Sequence, residues 1–329
     1  MDKRGLPLLL GLLFTIACGS SEPLPSGDPG GAGGSGGSGG SGAGGSGGSG
    51  GSSAGSYTVK FDPVTVAPGE ERTQCVIKKL GNDTDIHVGK IHNVLPTGSH
   101  HLIVYRTEET EEKTTPYDCQ PFINALDPMK GGPLMVTQKH DDLLTLPEGV
   151  GITLKAGAMV RLEMHYINTS FEDIQVSASS TFETMTDAQY QHEASFLLGG
   201  SFNISIPPHS TQTLGPLFIT LPPEHAQSKF FGFTGHTHRW GKDVEVSVAS
   251  GKDDPGTPVY DIENWNWSEP ETAYHDPFEV PAGKGFRFSC SWDNQSAETV
   301  TFGESANQEM CFFWAYYYPS QGSKLLMGK

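Results

Sequence analysis

Arg161-Leu162-Glu163-Met164-His165-Tyr166-Ile167 alternates with a period of two: Leu162, Met164 and Tyr166 fall on one face and His165 on the other. A helix would scatter these residues around its axis, so the stretch reads as a strand with one apolar face. The strand that holds it runs over 158–167, and similar segments lie at 57–66, 101–106, 196–206, 244–249 and 285–292. Between them, Pro147-Glu148-Gly149, Pro207-Pro208, Pro222-Pro223 and Pro281-Ala282-Gly283 supply turn chemistry, and helical periodicity is scarce. Many short strands with few helices predict an all-β chain built of antiparallel sandwiches or jelly rolls. A polar stretch at Gln189–Glu193 precedes a new strand at Ser195-Phe196-Leu197-Leu198. It divides the folded part into two sandwiches, 57–190 and 191–329.

Not all of the 329 residues can contribute to a core. Residues 1–18 read as a secretory signal, with Lys3 and Arg4 before a short apolar run, Leu8 to Ile16. The run is too short to span a bilayer. Thr15-Ile16-Ala17-Cys18-Gly19 has the form of a bacterial lipobox, although Thr15 stands where Leu is usual. This predicts an exported lipoprotein acylated at Cys18, and Gly19 after the cysteine favours the outer membrane. Residues 19–56 are dominated by Gly, Ser and Ala, a flexible tether reaching about 35 Å on average. A formal charge of −17 argues against nucleic-acid binding and fits an exported protein that meets membrane only through its anchor.

Apart from Cys18, the chain has four cysteines, an even number suited to two disulfides outside the cytoplasm. Three pairings satisfy the count. Sequence order favours Cys75 with Cys119 and Cys290 with Cys311.

The chemistry is carried by histidines. Gly235-His236-Thr237-His238 places two imidazoles on one face if the segment is extended. Phe230-Phe231-Gly232-Phe233 reads as a strand leading in, and Gly241 closes the motif. The segment Met310 to Tyr318 reads as a further strand, where alternation sends Met310 to the face opposite Cys311. A thioether beside two imidazoles favours Cu(I) and suits zinc poorly. His165 and the pair His100-His101 form a second group. Neighbours on a regular strand face opposite ways, so His100 and His101 can serve one metal only where the strand is bulged or just beginning. Pro96-Thr97-Gly98 immediately before them supplies the turn chemistry for such an irregular start. Of the other histidines, His87 and His92 read as surface residues. His140, His192, His209, His225 and His275 read as solvated or locally hydrogen-bonded, and Trp265 and Trp267 as packing residues.

On His100-His101-Leu102, Leu162-Glu163-Met164-His165-Tyr166, His236-Thr237-His238 with Gly241-Lys242, and Glu309-Met310-Cys311, residues 57–320 resemble the copper type II, ascorbate-dependent monooxygenases. That family includes peptidylglycine α-hydroxylating monooxygenase and dopamine β-monooxygenase. The resemblance implies two jelly-roll-like β-sandwich domains facing each other across a solvent-filled cleft. It implies two coppers per chain: an electron-storing one on His100, His101 and His165, and an oxygen-binding, catalytic one on His236, His238 and Met310. It also implies O2 and ascorbate or a similar reductant as co-substrates, and hydroxylation of a C–H bond of a small organic molecule. Cys75 with Cys119, and Cys290 with Cys311, match its cysteine pattern.

Three positions depart from the peptide-amidating members. Thr234 stands in place of an arginine, and Phe312 and Trp314 stand in place of an asparagine and a tyrosine. The polar clamp for a peptide terminus is missing, which argues for a more apolar or aromatic substrate; no substrate-binding residue is assigned. The alternative is a non-catalytic copper-binding lipoprotein on the same scaffold, but six retained ligands are more than a carrier needs.

Overall fold

The computed structural model describes residues 54–96, 98–119 and 132–329. The signal segment, Cys18 and nearly all of the tether lie outside the described residues. Gly50–Lys329 forms one compact unit, and among the described residues no helix is long and apolar enough to cross a membrane.

The chain before residue 190 supplies β1 (Ser56–Val66), β2 (Glu71–Lys79), β3 (Ile86–Val94), β4 (Ser99–Thr107), β5 (Lys113–Asp118), β6 (Pro133–Thr137), β7 (Asp141–Thr145), β8 (Val150–Leu154), β9 (Met159–Ile167) and β10 (Ile174–Met185). The remainder supplies β11 (His192–Glu193), β12 (Ser195–Gly200), β13 (Ser205–Ile206), β14 (Ser210–Thr220), β15 (Lys229–His236), β16 (Gly241–Ala249), β17 (Thr257–Tyr260), β18 (Ala273–Glu279), β19 (Gly285–Asn294), β20 (Val300–Thr301), β21 (Phe312–Tyr318) and β22 (Lys324–Met327). The all-β expectation holds, and nearly every pairing is antiparallel. The exceptions among the named strands are β11 with β8 and β12 with β22, which run parallel.

The strands of the first half form the sheet β1-β10-β3-β8, with β7 on β3 and β11 from beyond residue 190 added at its edge, and a separate sheet β5-β2-β9-β4-β6. Their apolar residues, among them Phe61, Phe182, Leu162, Met164 and Tyr166, share one cluster. The face predicted for β9 is therefore a core face. In the second half, the sheets β18-β15-β21-β12-β22 and β14-β19-β16-β17 enclose a second cluster around Phe230, Phe233, Phe286 and Trp292.

Strand β21 belongs to both clusters. Met310, Phe312, Trp314 and Tyr316 join the first, while Cys311, Phe313, Ala315 and Tyr317 join the second. Period-two alternation has become a partition between two cores, and Met310 and Cys311 part as predicted. Burying a large side chain on each face stabilises by roughly 1.5–3 kcal/mol per residue, so β21 is held from both sides.

Two strands are shorter than the sequence predicts. The segment 196–206 breaks at Gly200, where the chain turns so that the Ser201 amide donates to the Cys311 carbonyl. Strand β21 starts at Phe312 rather than Met310, because Glu309 makes a bridge with Phe302 and ties down the preceding turn. Both disulfides form as expected, Cys75–Cys119 and Cys290–Cys311, each with Cα atoms 5.8 Å apart. Of the two readings of His225, solvated or locally hydrogen-bonded, the second holds: its Nδ1 meets Ser228 Oγ at 3.3 Å, and the ring is 1% exposed because Tyr317 and Phe230 pack over it.

Candidate metal centre

The first histidine group rests on a bulge. His101 pairs with His165 across β4 and β9, but Ser99 pairs with Tyr166, so His100 is one residue too many for the ladder. That extra residue breaks the alternation and brings two adjacent imidazoles together. His100 Nδ1 and His101 Nδ1 face each other at 3.1 Å, a spacing that suits two nitrogens each about 2.0–2.1 Å from one ion. The His165 ring lies 5.0 Å from that of His100 and 4.9 Å from that of His101, centroid to centroid. One ligand atom from each of the three lies within 4.8 Å of the others, and all three residues are buried.

His165 is oriented from behind. Its Nε2 donates to Glu71 Oε1 at 2.9 Å, which leaves Nδ1 as the lone-pair nitrogen, buried and without a hydrogen-bond partner. Hydrogen bonds from His165 and from the Ala306 amide hold the Glu71 carboxyl down at about 2, against some burial. A histidine donating one ring N–H to a carboxylate while the other nitrogen points into a cluster is the usual arrangement behind a metal ligand.

The second group sits where β15 ends. His236 and His238 lie two residues apart with ring centroids at 5.1 Å. His236 Nδ1 meets the Gln138 side-chain oxygen at 2.9 Å, and His238 Nδ1 meets the Gln308 carbonyl at 3.1 Å. Both acceptors fix Nδ1 as the protonated nitrogen of the ring. Gly241 closes the turn, its amide donating to the His238 carbonyl. A Cβ at residue 241 would lie 1.8 Å from Thr237 Oγ1, so no larger residue fits unless Thr237 moves.

Met310 is tied to this group through the carboxylate of Glu309. Glu309 Oε2 accepts from the amides of His238 and Met310 and from the Trp292 indole, and Oε1 accepts from the Trp240 amide. Burial pushes Glu309 up to about 7 although these N–H groups pull the other way. Met310 itself is 2% exposed.

The two groups adjoin. His100 and His238 meet edge to face, with centroids 6.4 Å apart, and all five imidazoles are buried. Where the resemblance implies a solvent-filled cleft, these rings stand one against the other. Burial drives His100 to about 3 and His238 to about 4, and holds His101 and His236 well below their ordinary value. Each is therefore a neutral imidazole at pH 7, the form that binds metal.

Sequence reasoning missed the residues that support these rings. Gln138 is 6% exposed; its amide nitrogen donates to the Trp267 carbonyl at 3.3 Å, and the Trp267 ring lies 5.4 Å from that of His100. Glu71, Gln138 and Trp267 lie far in sequence from the histidines they serve, and no local motif marks them. Of the positions that depart from the peptide-amidating members, Thr234 is buried and bonded to Thr272, and Trp314 lies 6.2 Å from His236.

Residues 194–327 match the copper type II ascorbate-dependent monooxygenase, C-terminal domain. The matched stretch contains His236, His238 and Met310, and it begins one residue before β12. Among solved structures, the chain is similar to PNGase F, a glycosylasparaginase from Flavobacterium meningosepticum, at 13% identity over 82% of this chain and 97% of that one, with a TM-score of 0.36. It is also similar to the STIV MCP, at 7% identity over 80% and 95%, with a TM-score of 0.29. Neither likeness bears on the site.

Proposed function

We propose that this protein is a copper-dependent monooxygenase that hydroxylates a C–H bond of a small organic substrate, using O2 and a reductant such as ascorbate. The observation that carries this reading is two adjoining buried histidine groups, with His165 oriented by Glu71 and His236 and His238 by the Gln138 side chain and the Gln308 carbonyl, the second group lying within a stretch that matches a copper monooxygenase C-terminal domain. His100, His101 and His165 would hold one copper, and His236, His238 and Met310 the other. Bound there, copper supplies one-electron redox chemistry with dioxygen, and the Met310 thioether favours Cu(I).

The protein's own residues do the rest. Glu71, Gln138 and the Gln308 carbonyl fix the ring tautomers, so the ligand nitrogens are aimed before metal arrives. Glu309 locks the His238 and Met310 backbones to a single carboxylate. Trp267 and Trp314 lay apolar surface against His100 and His236 and exclude water there. Thr234, Phe312 and Trp314 leave no charged clamp, which supports an apolar or aromatic substrate. The chain acts as an exported lipoprotein of the bacterial outer membrane, anchored through Cys18.

The test is isotopic. Copper-loaded protein with ascorbate and labelled dioxygen should place one oxygen atom in the product from a panel of small aromatic and aliphatic compounds. Copper bound at both groups with no product from any of them would move the reading to a copper-binding lipoprotein.

A further inference from the structure

The two histidine groups are backed by different chemistry. Behind His165 stands a carboxylate, Glu71, at 2.9 Å. Behind His236 and His238 stand two neutral oxygens, the Gln138 amide and the Gln308 carbonyl. Glu71 is also cross-tied: Ser305 Oγ donates to it at 3.2 Å and the Ala306 amide at 3.1 Å. Those donors come from the loop that runs on to Glu309 and Met310, so the carboxylate is pinned in place and cannot swing away from His165.

An anionic acceptor on Nε2–H makes the imidazole a stronger donor through Nδ1. A fixed negative charge nearby also attracts a doubly charged ion more than a singly charged one. Neutral carbonyls exert neither effect to the same degree. We infer, resting on the copper reading above, that Glu71 is a positioning residue that separates the two groups in reduction potential. It favours Cu(II) at His100, His101 and His165, while the groups behind His236 and His238 leave the second site biased towards Cu(I). The gap is set by the protein's own hydrogen-bond partners and adds to the bias from Met310.

The test uses the full copper-loaded chain and reads each group alone by electron paramagnetic resonance during a redox titration. An H236A background isolates the first group and an H165A background the second. Glu71→Gln keeps the shape and removes the charge. It should shift the Cu(II)/Cu(I) balance of the first group about tenfold towards Cu(I), about 59 mV upward for one electron. Its Cu(II) affinity should fall about 10–100-fold. Glu71→Asp should hold the potential near the wild-type value. Gln138→Glu puts a carboxylate behind His236 and should move the second group the opposite way, which keeps the question open to test if Glu71→Gln folds poorly. A Glu71→Gln protein that binds copper at the first group with unchanged potential overturns this inference and leaves the copper reading standing, even if its thermal stability falls. Wild-type protein with no copper at His100, His101 and His165 overturns both.

Discussion

The two histidine groups reach similar ends by opposite means. His236 and His238 follow from local spacing: His236 closes the β15 ladder and His238 comes two residues later, as the strand gives way to a turn, with ring centroids 5.1 Å apart. His100 and His101 come together because periodicity fails, at a bulge that adds one residue to β4. The first device can be read from four consecutive residues. The second depends on how β4 pairs with β9, which no local pattern states. A site can therefore be assembled where a ladder ends or where it is broken, and only the first kind is plain in sequence.

The largest expected effect bears on the sulfur side of this comparison. Met310→Ile should abolish product formation while copper at His100, His101 and His165 is retained, as read by turnover and metal analysis together. Turnover close to wild type would remove Met310 from the site.

Next come the two disulfides, one in each half. Loop-closure entropy gives Cys75–Cys119, spanning 44 residues in sequence, about 4 kcal/mol and Cys290–Cys311, spanning 21, about 3 kcal/mol. Thermal unfolding should rank Cys75→Ser as the greater loss. Copper affinity should invert the order at the second group, because Cys311 adjoins Met310. Equal copper affinity in Cys290→Ser and wild type would break that coupling.

A smaller effect is set by pH. The folded pKa values of His100, His101, His236 and His238 are depressed, so between about 6.5 and 4 the unfolded chain binds more protons than the folded one. Metal-free protein should lose stability from these groups as pH falls through that window, by up to about 1.4 kcal/mol per pH unit for each proton. Glu304 and Glu309, pushed up to about 7 by burial, act in the opposite sense. The histidine share is therefore read as a difference: His101→Phe should show a shallower acid loss than wild type in chemical denaturation. Identical slopes would mean that His101 is not buried neutral.

The smallest effect concerns Trp267, which is only half-buried against His100. Trp267→Ala should leave two coppers bound but speed their removal by a chelator several-fold. Unchanged chelation kinetics would mean that Trp267 does not cover the site.

Much of this was legible in the residues. Strands at 57–66, 101–106 and 158–167 were visible as alternation, and the split of β21 between two cores follows from the same rule. Both disulfides followed from the order of the cysteines. What stayed hidden depends on distance in sequence. Glu71 lies 94 residues from His165 and Gln138 lies 98 from His236, and each reaches its ring only through the folded sheets. The burial of His225 was equally unreadable, since it comes from rings at 230 and 317. The adjoining of His100 and His238 belongs to the way the two halves pack, which strand patterns do not encode.

The central claim is that the chain carries two copper groups that can be emptied separately. Copper stoichiometry on the full chain, compared with His236→Ala and His165→Ala, tests it most directly. Wild type should bind two coppers and each variant about one, with the surviving signal differing between them. One copper in wild type, or a variant that still holds two, would contradict it.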